Sequence, residues 1–204
     1  MTPVTDRDEQ FSSQLDRWLS SDEPKTLGAL SDVFAEKSFA VAILLLMFVP
    51  ALPLPTGGIS HVFEAITIVL AAQMVLGRRT IWLPERWQGR ELGPTTTDRA
   101  IPFMIRRIQL VERFSRPRAA HLFVRGWMLR LLGLLLMALA IAAAAAPPFS
   151  GLDTLPALGA VAVALAIILE DIVVLAIGIA IGTGGVILMV TIGAAIVRIL
   201  QSLL

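Results

Sequence analysis

Phe39–Val49 reads FAVAILLLMFV, Pro50-Ala51-Leu52-Pro53-Leu54-Pro55-Thr56-Gly57-Gly58 follows, and His61–Leu76 resumes as HVFEAITIVLAAQMVL. Two apolar segments thus meet at a corner whose prolines and glycines oppose helix. The layout recurs downstream as Leu131–Ala146, the corner Pro147-Pro148-Phe149-Ser150-Gly151-Leu152-Asp153, and Pro156–Leu169. Within a bilayer, irregular backbone survives only where protein or a water-filled cavity satisfies its polar groups. Broken apolar segments in corresponding halves therefore mark the working part of a membrane protein.

Length refines this reading. At ~1.5 Å per residue the first apolar run reaches ~17 Å and His61–Leu76 ~24 Å, against a hydrocarbon core of ~30 Å. Two short helices around the first corner suit a re-entrant hairpin. Running the first helix back through Lys37 and Glu36 makes a full span instead, and both readings stand. Trp127–Ala146 is long enough to cross, whereas Pro156–Leu169 is again short. The last apolar stretch, Ile172–Leu204, contains Gly182-Thr183-Gly184-Gly185, which either breaks it in two or eases helix packing.

Apolar residues make up 56% of the chain and mean hydropathy is +0.77, too high for an ordinary soluble domain. Cysteine is absent, which removes disulfides and thiolate metal sites. The acidic, polar first 25 residues carry no basic-then-apolar signal, so an uncleaved N-terminus is expected.

Charge is unevenly spread. Residues 1–37 hold eight acids and four bases, a net of −4, while residues 77–126 hold eleven arginines and four acids, a net of +7. Basic segments beside membrane helices stay on the cytoplasmic side. Topology thus accounts for the arginines without nucleic acid, and anionic lipid headgroups are the expected partner.

Phe11, Leu15, Trp18 and Leu19 recur at helical spacing and predict an amphipathic helix on the membrane surface or on the protein itself. Leu27, Leu30 and Phe34 predict another. Phe103, Ile105, Ile108, Val111 and Phe114 interleave with Arg106, Arg107 and Arg113, a pattern for an interfacial helix whose apolar face dips inward. Trp82, Trp87 and Trp127 flank the apolar stretches, where indoles mark interfaces. The chain divides into an acidic segment (1–37), a first broken-helix hairpin (38–76), an arginine-rich cytoplasmic linker (77–126) and a second membrane half (127–204). A shift of 93 residues lays Gly58 on Gly151, Pro55 on Pro148 and Arg78 on Asp171, a weak internal repeat. The fold class is therefore an all-α integral membrane protein of two related halves, with short or re-entrant helices and interfacial amphipathic helices.

Gln73-Met74-Val75-Leu76-Gly77-Arg78-Arg79, Trp82-Leu83-Pro84 and Arg116-Pro117-Arg118, followed by the second corner, Leu155-Pro156-Ala157 and Glu170-Asp171, resemble the ExoD family of bacterial exopolysaccharide-synthesis proteins. The resemblance covers about residues 25–200. It differs where Ile172 follows Asp171 in place of a glycine and where Asp153 stands for the polar residue of the second corner. It implies an inner-membrane protein needed for exopolysaccharide production and linked to tolerance of alkaline conditions, with no agreed catalytic mechanism.

Candidate chemistry gathers at three places. The corner with Pro55, Gly57, Gly58 and Ser60 feeds a helix N-terminus, which either offers N–H groups to an anion or merely turns the chain, with Ser60 as cap. His61 and Glu64, three residues apart, share a helix face. At membrane depth such groups suggest proton or ion handling, and at an interface they are ordinary. Glu170 and Asp171 either sit at a hairpin tip or are buried, with Arg78 and Arg79 as the favoured partners across the halves. Asp153 completes the ligand or ion pathway. Two histidines sixty residues apart offer no metal site, and no cofactor is expected.

No catalytic triad, P-loop or dinucleotide fingerprint is present, so the chain is read as non-enzymatic. The function expected is support of exopolysaccharide synthesis or export from the bacterial inner membrane, through translocation of an anionic or lipid-phosphate intermediate with Glu64 or Asp171 coupling a proton. The alternative is a non-transporting scaffold for the synthesis machinery, or a contributor to alkaline pH tolerance. Expected partners are the bilayer, its anionic lipids and polysaccharide-synthesis proteins. Self-association is compatible with the sequence.

Overall fold

The structure is a computed structural model that describes residues 11–21, 37–52, 59–78, 81–82, 101–147 and 150–203. Among these residues all regular structure is helical: α1 (Phe11–Ser20), α2 (Ser38–Phe48), α3 (Ile59–Val75), α4 (Ile101–Phe114), α5 (Ala120–Phe123), α6 (Gly126–Ala144), α7 (Thr154–Leu169) and α8 (Ile172–Leu203). Pro55, Gly57, Gly58, Arg79, Trp87 and the helix expected around Leu27–Phe34 lie outside the described residues.

Helix α2 is apolar on every side apart from Ser38, and all eleven of its residues are buried. A helix of that composition belongs at the centre of a bundle. It packs on α7 and α3. Lys37, at its start, donates to the Ile168 carbonyl at 2.7 Å and pairs with Glu170 at 3.0 Å, so α2 runs antiparallel to α7. The ammonium also meets the negative end of α7, where a cation is favourable.

Helices α3 and α6 form a second antiparallel pair. A Cβ added to Gly133 of α6 would stand 2.8 Å from the Met74 Cβ and 3.1 Å from the Val75 nitrogen. Helix α3 ends in a Schellman motif. Gly77 adopts φ +77°, Gly77 N–H donates to the Met74 carbonyl, and Arg78 N–H donates to the Gln73 carbonyl at 3.0 Å. The Arg130 guanidinium of α6 lies against Gly77, bringing positive charge to the C-terminal end of α3. The buried Gln73 amide then clamps the chain as it leaves, exchanging hydrogen bonds of 2.8 and 2.7 Å with the Trp82 backbone.

The closest approach lies between α7 and α8, which turn into each other at Glu170 (φ 55°, ψ 34°). A Cβ on Gly159 would fall 2.4 Å from the Gly182 Cα, and one on Gly178 would fall 2.8 Å from the Val163 nitrogen. Small residues let backbones touch, and dispersion contacts then accumulate along the seam. Gly182-Thr183-Gly184-Gly185 therefore does not break the last stretch. The helix runs unbroken from Ile172 to Leu203, and Gly182 and Gly185 face packed neighbours.

Two helices, Gly126–Ala144 and Ile172–Ala195, are long and apolar enough to cross a membrane, and only 33% and 22% of their most apolar windows are buried. A soluble core helix would hide most of such a surface. Leu131, Leu134 and Ile141 of α6 and Ile177, Ile187 and Val190 of α8 all point outward.

Of the two placements expected for the first amphipathic helix, the structure shows the one on the protein itself, and the 101–114 helix also packs partly into the core. Ile105 and Ile108 of α4 are buried in the protein's own core, and Phe103 packs against Phe48 with ring centroids 6.1 Å apart. Helix α1 lies on α4, where the Ser12 N–H and hydroxyl both donate to Glu112, and Leu15 and Trp18 are buried. Part of each apolar face is thus spent inside the protein, while Leu110 and Phe114 of α4 stay exposed.

Candidate functional site

Helix α3 carries a polar row on its inner face. Ser60, Glu64 and Thr67 recur at i, i+4 and i+7, and all three are buried. The pitch of a helix puts such residues one above another. His61 Nδ1 lies 2.8 Å from Glu64 Oε2, and its side chain is 37% exposed where the glutamate is 0%, so the imidazole bridges the surface and the buried carboxyl. Among the described residues, the other carboxyl oxygen, Oε1, and the Thr67 hydroxyl have no hydrogen-bond partner.

The second corner approaches the same place. Asp153, at the start of α7, is within electrostatic range of Glu64. The corner is held by the Ser150 hydroxyl, which donates to the Pro147 carbonyl at 2.7 Å, and by Gly151 at φ +69°. The two antiparallel pairings make this proximity necessary: α3 and α7 both begin at the end of the bundle where α2 and α6 finish. The N-termini of α3 and α7 therefore lie at one end, beside His61, Glu64 and Asp153.

Asp171 occupies the opposite end and is built differently. It is fully buried, and its carboxylate accepts from the Ser115 hydroxyl and Arg116 N–H at 3.0 Å each, from Arg118 Nη1 at 2.8 Å, and from Val173 N–H at 2.8 Å. The Val173 bond makes Asp171 the N-cap of α8. Burial pushes its pKa upward, but the hydrogen bonds from Arg116, Val173, Ser115 and Arg118 outweigh that and hold it below the usual aspartate range. Such a carboxylate is a fixed anion that ties the 115–118 segment to the α7–α8 turn.

The partners of the acidic pair differ from those the sequence suggested. Glu170 pairs with Lys37, and Asp171 with Arg118. Arg78 is exposed at the end of α3, directly after Gly77 of the Schellman turn. Lys37, Ser115 and Arg118 were missed as partners. Asp171 ahead of an apolar run was itself a legible N-cap signal, whereas nothing local joins it to Arg118, 53 residues away. No group of three His, Cys, Asp or Glu suited to a metal occurs among the described residues.

Fold and site together define an all-helical protein with helices able to span a bilayer and with carboxylates held inside the bundle. The chain belongs to the ExoD family, described as "Exopolysaccharide synthesis, ExoD", which it matches over residues 11–191. It is 32% identical over 116 residues to Protein ExoD of Rhizobium meliloti, covering 55% of this chain and 47% of that protein. It is 27% identical over 123 residues to an uncharacterized protein of Synechocystis, covering 60% of this chain and 57% of that one. The chain thus spans about half the length of these curated relatives. No solved structure matches it significantly.

Proposed function

We propose that this protein is a multi-pass component of the bacterial inner membrane that supports exopolysaccharide synthesis or export, without catalysis, by translocating an anionic lipid-phosphate intermediate. The observation that carries the reading is the convergence of two corner-fed helix N-termini, those of α3 and α7, beside the buried Glu64. Helix N-termini present unpaired N–H groups and partial positive charge, which suit phosphate. Broken helices of transporters use the same device at membrane depth. The outward apolar faces of α6 and α8 supply the lipid contact, and the arginine-rich 77–126 region sets the cytoplasmic side. In this reading the two helix–corner–helix units are related halves, and the first corner is re-entrant.

The test is the pool of polyprenyl-linked intermediates, measured beside secreted polysaccharide in cells lacking the protein. Accumulation at the cytoplasmic face with reduced secretion is the expected result. An unchanged pool with reduced secretion overturns translocation. A second reading, a scaffold for synthesis proteins, is favoured by the exposed Arg106, Arg107 and Arg113 of α4. Neutralising all three abolishes partner association if the scaffold reading holds and leaves secretion intact if it does not.

A further inference from the structure

Glu64 Oε1 and Thr67 Oγ1 are buried acceptors one helical turn apart, and among the described residues both lack a partner. Buried polar oxygens of this kind are rare in folded proteins, since each unmade hydrogen bond costs stability. The Thr67 hydroxyl carries its own proton, but an ionised Glu64 offers only lone pairs. His61 satisfies Oε2 alone. The remaining oxygen calls for a hydrogen-bond donor or a cation.

Among the described residues of α3 and the helices packed on it, none besides His61 supplies positive charge at Glu64. Helix α2 contains no ionisable residue between Ser38 and Phe48, and α6, the other helix packed on α3, carries only Arg130, which sits against Gly77 at the far end. Asp153, also within electrostatic range among the described residues, is an acid. Two neighbouring carboxylates repel unless a cation lies near them or one is neutralised.

We propose that Glu64 and Thr67, with His61 at the mouth, form an occluded site for a small monovalent cation, a proton or sodium, that loads past the half-exposed imidazole. This deepens the translocation reading by naming the ion that accompanies the anion. A cation at Glu64 cancels the carboxylate beside the α3 and α7 N-termini, so an anion enters that end only when the site is filled. A buried threonine hydroxyl and carboxylate match sodium's preference for oxygen, while the imidazole is a proton relay. Both sources fit the same pocket.

Purified full-length protein in phosphatidylcholine vesicles separates them. For a proton, infrared difference spectra across the neutral pH range show a protonated carboxyl band in wild type that Glu64→Gln abolishes and that sodium chloride leaves unchanged. For sodium, thermal stability rises with sodium chloride and not with choline chloride at equal ionic strength. Thr67→Val then raises the half-saturating concentration about tenfold, the effect of one lost hydrogen bond. Thr67→Val keeps shape and charge, so it tests the site even if Glu64→Gln unfolds. A wild type with neither the band nor the sodium response overturns the proposal. These readouts contain no lipid intermediate, so failure of translocation and failure of the ion site are told apart.

Discussion

Asp171 shows how one side chain can hold two segments distant in sequence. Its carboxylate receives bonds from Ser115, Arg116 and Arg118 on one side and caps α8 through Val173 on the other. Asp171→Ala strands these donors and removes the cap, and a loss of about 2–4 kcal/mol is expected in denaturant unfolding of the solubilised protein. The pH dependence follows from the depressed pKa. Its stabilisation is fully present above the unfolded value of 3.8 and is lost as pH falls through the lower folded value. The stability gap between wild type and Asp171→Asn is therefore constant at neutral pH and shrinks only below that value. A gap that closes between neutral pH and pH 5 contradicts this assignment. Gly77 is a second sensitive position. At φ +77°, with Arg130 Nη2 only 3.0 Å from any added Cβ, Gly77→Ala is expected to cost about 1–2 kcal/mol in the same assay.

Pairs of helices depend on different chemistry. The α7–α8 seam rests on backbone contact at Gly159, Gly178 and Gly182. Gly159→Leu has no flexible neighbour to displace, so the helices must part along the seam. A loss of about 3 kcal/mol or more is expected by thermal melting. Gly184, on the same helix and only two residues from Gly182, meets nothing within 4 Å. Gly184→Ala is expected to be neutral or to stabilise by about 0.5–1 kcal/mol through helix propensity. Equal effects of the two substitutions would show that the seam is not glycine-packed. The contrast also explains why Gly182-Thr183-Gly184-Gly185 was ambiguous as a string. Glycines that permit close packing and glycines that loosen a helix are the same residue, and only the facing helix distinguishes them.

For the whole molecule, charge and corners separate. Arg78, Arg116, Arg125 and Arg130 are exposed around the end that holds Asp171, and Asp153 and Glu64 lie at the other. On the proposed topology, in which α6 crosses the bilayer between these ends, an impermeant maleimide should label Ser150→Cys in intact spheroplasts and Arg125→Cys only after permeabilisation. The chain has no native cysteine, so each signal has a single source. Labelling of Arg125→Cys from outside would reverse the orientation argued from the arginines. Helical character, the short lengths around the corners and the apolar stretches were legible because helix pitch and hydropathy are local properties. The His61–Glu64 pair was legible for the same reason, being three residues apart on one helix. Tertiary structure alone decided that α1 packs on α4 and α4 meets α2 through Phe103 and Phe48, that Lys37 and Arg118 take the acidic pair, and that the N-termini of α3 and α7 share one end. Each of these joins segments that no local periodicity connects, and each is set by which helices pack antiparallel, a choice made by the summed burial of the whole bundle.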